Sequence, residues 1–220
     1  MASDTVPVMA NARIVSVSRG PAADLLVGGK QARTGINKRP ATGPVAVRTL
    51  GLAEDEYGDK QNHGGLDQAA YAYAREDLDW WSEQLGRELR NGLFGENFTT
   101  SGIDISTALI GEVWRIGAAV VQITAPRIPC VTFQSWIGEP HWVKRFAAAR
   151  RPGSYLRVLT EGMVCAGDEL TVLSRPGQAV TVAESMDAYY GDCETMHRLL
   201  EVEGRGYKWD AIGAAVLSRA

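Results

Sequence analysis

The stretch Ile123–Phe133, ITAPRIPCVTF, holds Cys130, one of three cysteines in the 220-residue chain. Two prolines and an arginine stand just before it. Pro129 fixes its own φ and biases Ile128 toward extended backbone, and Pro126 does the same to Ala125. The thiol is thus displayed on a stiff loop at a strand end. Arg127 supplies a fixed positive charge that can lower a thiol pKa and make thiolate available at neutral pH. A free cysteine is otherwise a small apolar filler. Cys165, in GMVCAGD, and Cys193 lack both the prolines and the arginine, and both read as packing residues.

Two further loops carry groups that suit chemistry. QNHGGLDQAAYAY places His63 before Gly64 and Gly65, and such glycines let a ligand approach the backbone closely. GLFGENFTT places Glu96 and Asn97 in a second glycine-bounded loop ahead of extended sequence. Neither loop has metal-ligand spacing within itself, and neither is a phosphate-loop motif. Cysteine, histidine, asparagine and arginine on separate loops admit two readings. One is a thiolate nucleophile with a histidine base and an orienting amide, built from Cys130, His63 and Asn97. The other is a soft thiolate ligand to a metal or metal cofactor, with polar groups holding the organic part. Spacing leaves both open.

The elements that must position these loops are short. RIVSVS (Arg13–Ser18), VAVRTL (Val45–Leu50), AAYAYA, EVWRIG, VVQIT, SYLRVL and ELTVL alternate in the manner of strands, and Gly or Pro punctuates nearly every gap. Strands at this spacing predict a closed or nearly closed β-barrel rather than a βαβ sheet. Two helices interrupt them. REDLDWWSEQLGREL puts Leu78, Trp81, Leu85 and Leu89 on one face, with a Glu83–Arg87 pair and a stop at Asn91-Gly92. EPHWVKRFAAAR starts at Pro140 and ends at Pro152-Gly153. Lys144, Arg145, Arg150 and Arg151 on or after it read as a solvated face rather than a phosphate site.

SRPGQ (Ser174–Gln178) reads as a linker, and three short helical segments follow it. From Thr181 onward there are seven acidic and four basic residues, the opposite of what a DNA-reading helical module shows. The tail is expected to pack or associate. With 22% charged residues and a net charge of −3, nothing favours nucleic acid or an anionic membrane over a broad surface. The start, MASDTVPVMANAR, has no secretory character, no stretch is long and apolar enough to span a bilayer, and there is no C-x-x-C. A reduced, cytoplasmic protein is expected.

Together these stretches resemble the MOSC family, the domain named for the C-terminal part of molybdenum cofactor sulfurases, in its stand-alone bacterial YiiM-like branch. TGINKRP, GLAEDEYGD, NHGGLDQAAYAY, GLFGENFTT, IGEVWRIG, APRIPC and GSYLRVLTEGMVCAGDEL occur in the family's order, from about Gly29 to Leu173. Glu54 stands where members commonly carry glycine. The resemblance implies a mainly β fold with helices, in which an N-terminal strand and lead-in (1–28) precede a β-barrel-like core (29–173) and a three-helix C-terminal subdomain (179–220). It implies binding of the molybdenum cofactor, a pterin dithiolene with a terminal phosphate, with Cys130 as the metal ligand. His63, Gly64, Asn97 and Arg127 would line the site, Lys38 and Arg39 would offer charge to a phosphate, and Glu96 would be a proton donor. The implied activity is reduction of N-hydroxylated compounds such as N-hydroxylated bases. No cysteine set for an iron–sulfur cluster and no G-x-G-x-x-G after a strand is present, so electrons are expected from a separate flavin or iron–sulfur protein. The rival readings are a cofactor or sulfur carrier and the cysteine hydrolase. A homodimer is compatible with the apolar residues of the tail.

Overall fold

A computed structural model describes residues 12–58, 64–177 and 179–219. His63 lies outside the described residues. The strands are β1 (Arg13–Arg19), β2 (Ala23–Val27), β3 (Lys30–Thr34), β4 (Arg39–Pro40), β5 (Val45–Arg48), β6 (Gly51–Leu52), β7 (Ala70–Ala74), β8 (Phe98–Ser101), β9 (Val113–Ile116), β10 (Ala119–Pro126), β11 (Ser154–Thr160), β12 (Gly162–Val164) and β13 (Leu170–Ser174). The helices are α1 (Arg75–Leu85), α2 (Val131–Ile137), α3 (Trp142–Ala149), α4 (Val182–Tyr189), α5 (Cys193–Leu200) and α6 (Lys208–Leu217). A 3-10 turn spans Leu66–Gln68.

Eight strands form one sheet in the order β13-β9-β10-β11-β7-β8-β1-β4. The sheet then closes on itself. Arg13 bridges Glu169, the Ile14 N–H donates to Asp168 O at 2.9 Å, and the Leu170 N–H donates to Ala12 O at 2.9 Å. Closure removes the edge that a strand of β1's length would otherwise expose. The alternation in each of the seven quoted segments is the reason they pair: in β10, Ala119, Val121 and Ile123 point inward and are buried. One βαβ unit is present, because β7 and β8 run parallel with α1 as their crossover. The barrel expectation therefore stands with one parallel pair inside it.

The helices differ from the sequence reading at their ends. α1 stops at Gly86, whose φ of 62° closes it with N–H groups returning to Glu83 O and Ser82 O. The expected Glu83–Arg87 helical pair is therefore not made. Arg87 instead donates to Ile137 O at 2.7 Å and lies 3.6 Å from Glu139. α3 begins at Trp142 rather than Pro140, and the short α2 directly after Cys130 was not foreseen. The basic residues around α3 are paired: Arg145 with Glu139, Arg150 with Asp187, and Arg151 with Asp77.

Two cores result. Inside the barrel lie Ile14, Phe98, Trp114, Ile116, Val121, Ile123 and Leu156. That cluster continues without a break into Val182, Met196, Leu199 and Trp209 of the tail. On the outer face of the sheet, α1, α2 and α3 bury Tyr73, Trp81, Phe94, Phe133, Trp142 and Phe146. Phe133 meets Trp142 edge-on at 5.5 Å and Phe146 edge-on at 5.1 Å, geometries worth about 0.5–1.5 kcal/mol beyond area burial. This aromatic layer fixes α2, and Cys130 is the cap residue just before it. Among the described residues no helix is long and apolar enough to cross a membrane.

Candidate functional site

Cys130 caps the start of α2 in extended backbone (φ −129°, ψ 171°), and its carbonyl accepts the Gln134 N–H at 3.0 Å. β10 carries on through Pro126, which pairs with Ser154 of β11, so the loop from Arg127 to Pro129 hangs between a paired strand and an anchored helix. The residue is half-buried, and none of the three cysteines is in a disulfide. Cys165 bonds Asp168 at 3.3 Å and Cys193 points to Gly191 O at 3.5 Å.

Cys130 lines a cleft of about 790 Å³, counted out to its open mouth. The opposite wall comes from the end of the β2–β3 hairpin (Arg33, Thr34, Gly35) and from Tyr57 and Gly58. These two segments lie against one another. A Cβ on Gly35 would stand 1.9 Å from Glu56 O, and one on Gly58 would stand 2.0 Å from Arg33 O. The floor holds Lys38, Tyr71, Asn97, Arg127 and Tyr155, and Gly64 lies at the rim.

Arg127 is buried. It donates to Phe94 O and sits over the rings of Phe133 at 4.0 Å and Tyr71 at 5.1 Å. Burial works against its charge, but Tyr155, Tyr71 and Cys130 outweigh it and raise its pKa. The guanidinium therefore stays charged, in electrostatic reach of Cys130, and favours negative charge on the sulfur. Arg127 and Cys130 both line the cleft.

The other expected residues are brought to the same cleft in a different capacity. Lys38, 4% exposed, is lowered in pKa by burial, against which Asp55 holds its charge. Both Asp55 oxygens receive the Lys38 ammonium. Asp55 also accepts from Asn97 Nδ2 at 2.8 Å and from the Gly20 N–H at 3.1 Å. Asn97 is the residue before β8. Its side chain accepts the Tyr71 N–H at 3.1 Å and donates to Ser18 O at 3.1 Å, extending the ladder between β7 and β1. Lys38 and Asn97 frame the cleft through this network. Arg39 is exposed on β4 and is not part of the lining.

Glu96, expected as a proton donor, is placed away from the lining. It is fully buried and does not line the cleft. Its carboxylate accepts from the Gly92 N–H, the Phe94 N–H at 3.0 Å and the Thr99 hydroxyl at 3.0 Å. Burial raises its pKa and these bonds pull the other way. The residue ties its own loop and lies outside the lining of the cleft.

Three groups escaped the sequence reading. Asp55 is the hub of the buried network. Tyr57 donates to Ala69 O at 2.7 Å, and burial raises its pKa. Tyr155 lies beside Cys130, its pKa raised by burial and by Cys130 although Arg127 pulls it down. Tyr155 sits within the alternating strand SYLRVL, where nothing local marks it. GLAEDE places Asp55 beside two other acids, and burial alone distinguishes it.

The MOSC domain family model matches residues 59–171. YflK of Bacillus subtilis is 35% identical over 201 residues, covering 90% of this chain and 91% of that protein. A protein named reductase from Gibberella moniliformis is 30% identical over 177 residues, covering 79% of this chain and 31% of that one. The crystal structure of YiiM from Geobacillus stearothermophilus, 28% identical, superposes with a TM-score of 0.79 over 94% of this chain and 100% of that one. The fold and these matches define a barrel of the MOSC type. The chain belongs to the MOSC family.

Proposed function

We propose that the protein binds the molybdenum cofactor in the cleft at Cys130 and reduces N-hydroxylated compounds. The observation that carries this is a single thiol on a rigid mount, facing a permanently charged, buried arginine, at a cleft of ligand size. Among the described residues no three His, Cys, Asp or Glu gather to hold a metal, so a lone thiolate suits a metal whose other ligands arrive with an organic group. Cys130 would be the metal ligand, with Arg127 the fixed positive charge, Lys38 held in its pair with Asp55, and the Gly35 and Gly58 backbone part of the lining. The name of the Gibberella relative supports oxidoreductase chemistry.

The cofactor, when bound, supplies a two-electron centre. The balanced change is R–NH–OH with two electrons and two protons giving R–NH2 and water, with the electrons coming from a separate redox protein. The chain's own part is to hold the ligand sulfur, keep Arg127 charged beside it and shape the approach. Tyr155, whose raised pKa keeps its phenol protonated, holds a proton beside Cys130. Asn97 spends its amide on Tyr71, Ser18 and Asp55, which weakens the cysteine-hydrolase alternative.

Elemental analysis of protein made in a host with intact cofactor synthesis, followed by turnover of an N-hydroxylated base with an artificial electron donor, tests the proposal. Molybdenum near stoichiometry with turnover is expected. Molybdenum without turnover would leave a carrier, and turnover by the purified protein with NADH alone would overturn the need for a partner.

A further inference from the structure

The segment from Ile36 to Arg39 serves two sides of the molecule. Ile36 and Lys38 line the cleft at Cys130, and Asn37 and Arg39, which alternate with them, do not. Outside the cleft Arg90 is bound to the same segment. Its Nη1 donates to Lys38 O at 2.6 Å and to Asn91 O at 3.0 Å, and its Nη2 donates to Asn37 Oδ1 at 2.9 Å. All three acceptors are neutral, so the guanidinium is held in place without being neutralised. Arg39 is exposed on β4, the last strand of the sheet, and its register partner on β1 is Arg19. Arg90 has its pKa lowered by burial and then by the charge of Arg39. Among the described residues neither Arg39 nor Arg90 forms an ion pair, and Arg19 pairs with the exposed Glu54 at 3.1 Å.

We propose that this arginine patch is the docking surface for the electron donor, and that the donor is a protein presenting an acidic face. The proposal rests on the function argued above. Like charges directly opposite each other on paired strands are destabilising, and here Arg19 stands opposite Arg39 with Arg90 beside them. One charge is enough to blunt the free edge of β4. Three guanidiniums against one carboxylate go beyond that need, and carboxylates on a partner relieve the repulsion by bidentate pairing. The chain as a whole carries a net charge of −3, so the patch steers an acidic partner to one orientation. The position suits the task. The segment that carries the patch is also a wall of the cleft, so a donor seated there lies one layer of backbone from it. A one-electron donor docks twice per turnover: R–NH–OH with two electrons and two protons gives R–NH2 and water, and two donor molecules are each oxidised by one electron.

A two-iron ferredoxin of the plant type, acidic and a one-electron carrier, is the probe. Titration calorimetry with the oxidised ferredoxin reads binding without any loaded metal. Wild-type protein should bind it at about 20 mM salt and lose most of that affinity at about 200 mM, where screening shortens the reach of the patch. Arg39→Glu should weaken binding about tenfold or more, and Arg39→Lys should keep most of it. Arg219→Glu, a charge reversal at an exposed residue of the tail, should leave binding unchanged. In turnover, Arg39→Glu should lower the ferredoxin-driven rate about tenfold and leave the rate with reduced methyl viologen unaltered. Ferredoxin binding that is absent in wild type, equal in Arg39→Glu, or weakened as much by Arg219→Glu overturns the proposal. Inorganic phosphate that binds wild type but not Arg39→Glu, where ferredoxin binds neither, makes the patch a small-anion site instead. Viologen-driven turnover with ferredoxin binding indifferent to Arg39 would sink the docking surface and keep the proposed function. Ferredoxin binding as expected with no reduction by either donor would sink that function and leave a docking site for an acidic protein.

Discussion

On the hairpin side of Cys130 the cleft rests on charge: Lys38, Asp55 and Asn97 interlock beneath it, with the Lys38 and Asp55 side chains 6% and 0% exposed. On the tail side Cys130 also lines a second cleft, walled by Ile128, Tyr155, Tyr189 and Ile212, and the polar bonds lie behind it, where Asp67 accepts Arg157 Nε and the Tyr207 N–H. A buried ion pair holds its shape only while both partners are present. An apolar wall tolerates change of side chain so long as volume is kept. The hairpin side is thus built to keep one geometry, and the tail side is the one that can vary without the barrel failing.

The largest expected effect lies where the two sides meet. Cys130→Ser should abolish reduction while the circular dichroism spectrum stays native, because an alcohol is a harder and far less acidic ligand than a thiol. Cys165→Ser and Cys193→Ser should keep their activity, since neither residue lines either cleft. Next comes the charged side. Asp55→Ala strands a buried ammonium and should cost about 3–5 kcal/mol in denaturant unfolding. Lys38→Met combined with Asp55→Leu should recover much of that loss, and a double variant no more stable than Asp55→Ala would show that the pair's surroundings, not its charge, set the cost.

On the tail side, Asp67→Ala should cost about 2–3 kcal/mol, the range for charge-assisted hydrogen bonds, and should expose the segment around Arg175 to protease. Protection equal to wild type would mean the shared core alone docks the tail. That core also bears on removal of the whole tail. Truncation after Arg175 uncovers Trp114's cluster where Leu199 and Trp209 now pack, so aggregation of the barrel is the expected result. The smallest effect concerns Glu54, which adopts φ 61° beside Asp55 and is largely exposed in its ion pair with Arg19. Glu54→Gly should relieve left-handed strain and raise stability by under about 1 kcal/mol, read from the shift in denaturant midpoint.

How much of this was legible in the sequence depends on whether a signal is local. Period-two alternation located β1, β5, β9, β10, β11 and β13, because each has a face in a core, and β7, whose alternating Ala and Tyr enter the two cores on opposite faces. The β2–β3 hairpin escaped because it is exposed or half-buried along its length, so its sequence carries no alternation to read. α2 escaped because VTFQSWI is too short for helical periodicity to show. At the site, the prolines and arginine around Cys130 are local and were legible. The Lys38–Asp55 pair spans the chain's turn back on itself, and Glu96 announced a charge without announcing its burial. Glu54, where family members commonly carry glycine, adopts the left-handed conformation that glycine takes readily.

Barrel closure has a consequence in time. β1 is made well before its last partner: one edge finds β8, and the other takes β4 at Ser18 and Arg19 but waits at Ile14 for the chain around Asp168 and Leu170. At typical rates of synthesis that gap is on the order of ten to thirty seconds. For that interval RIVSVS, with Ile14 and Val17 on its inward face, has no completed barrel to enter. The nascent chain thus carries a partly unsheltered strand until those residues are made, an interval in which shielding by the ribosome surface or a holding chaperone would favour the yield of folded protein.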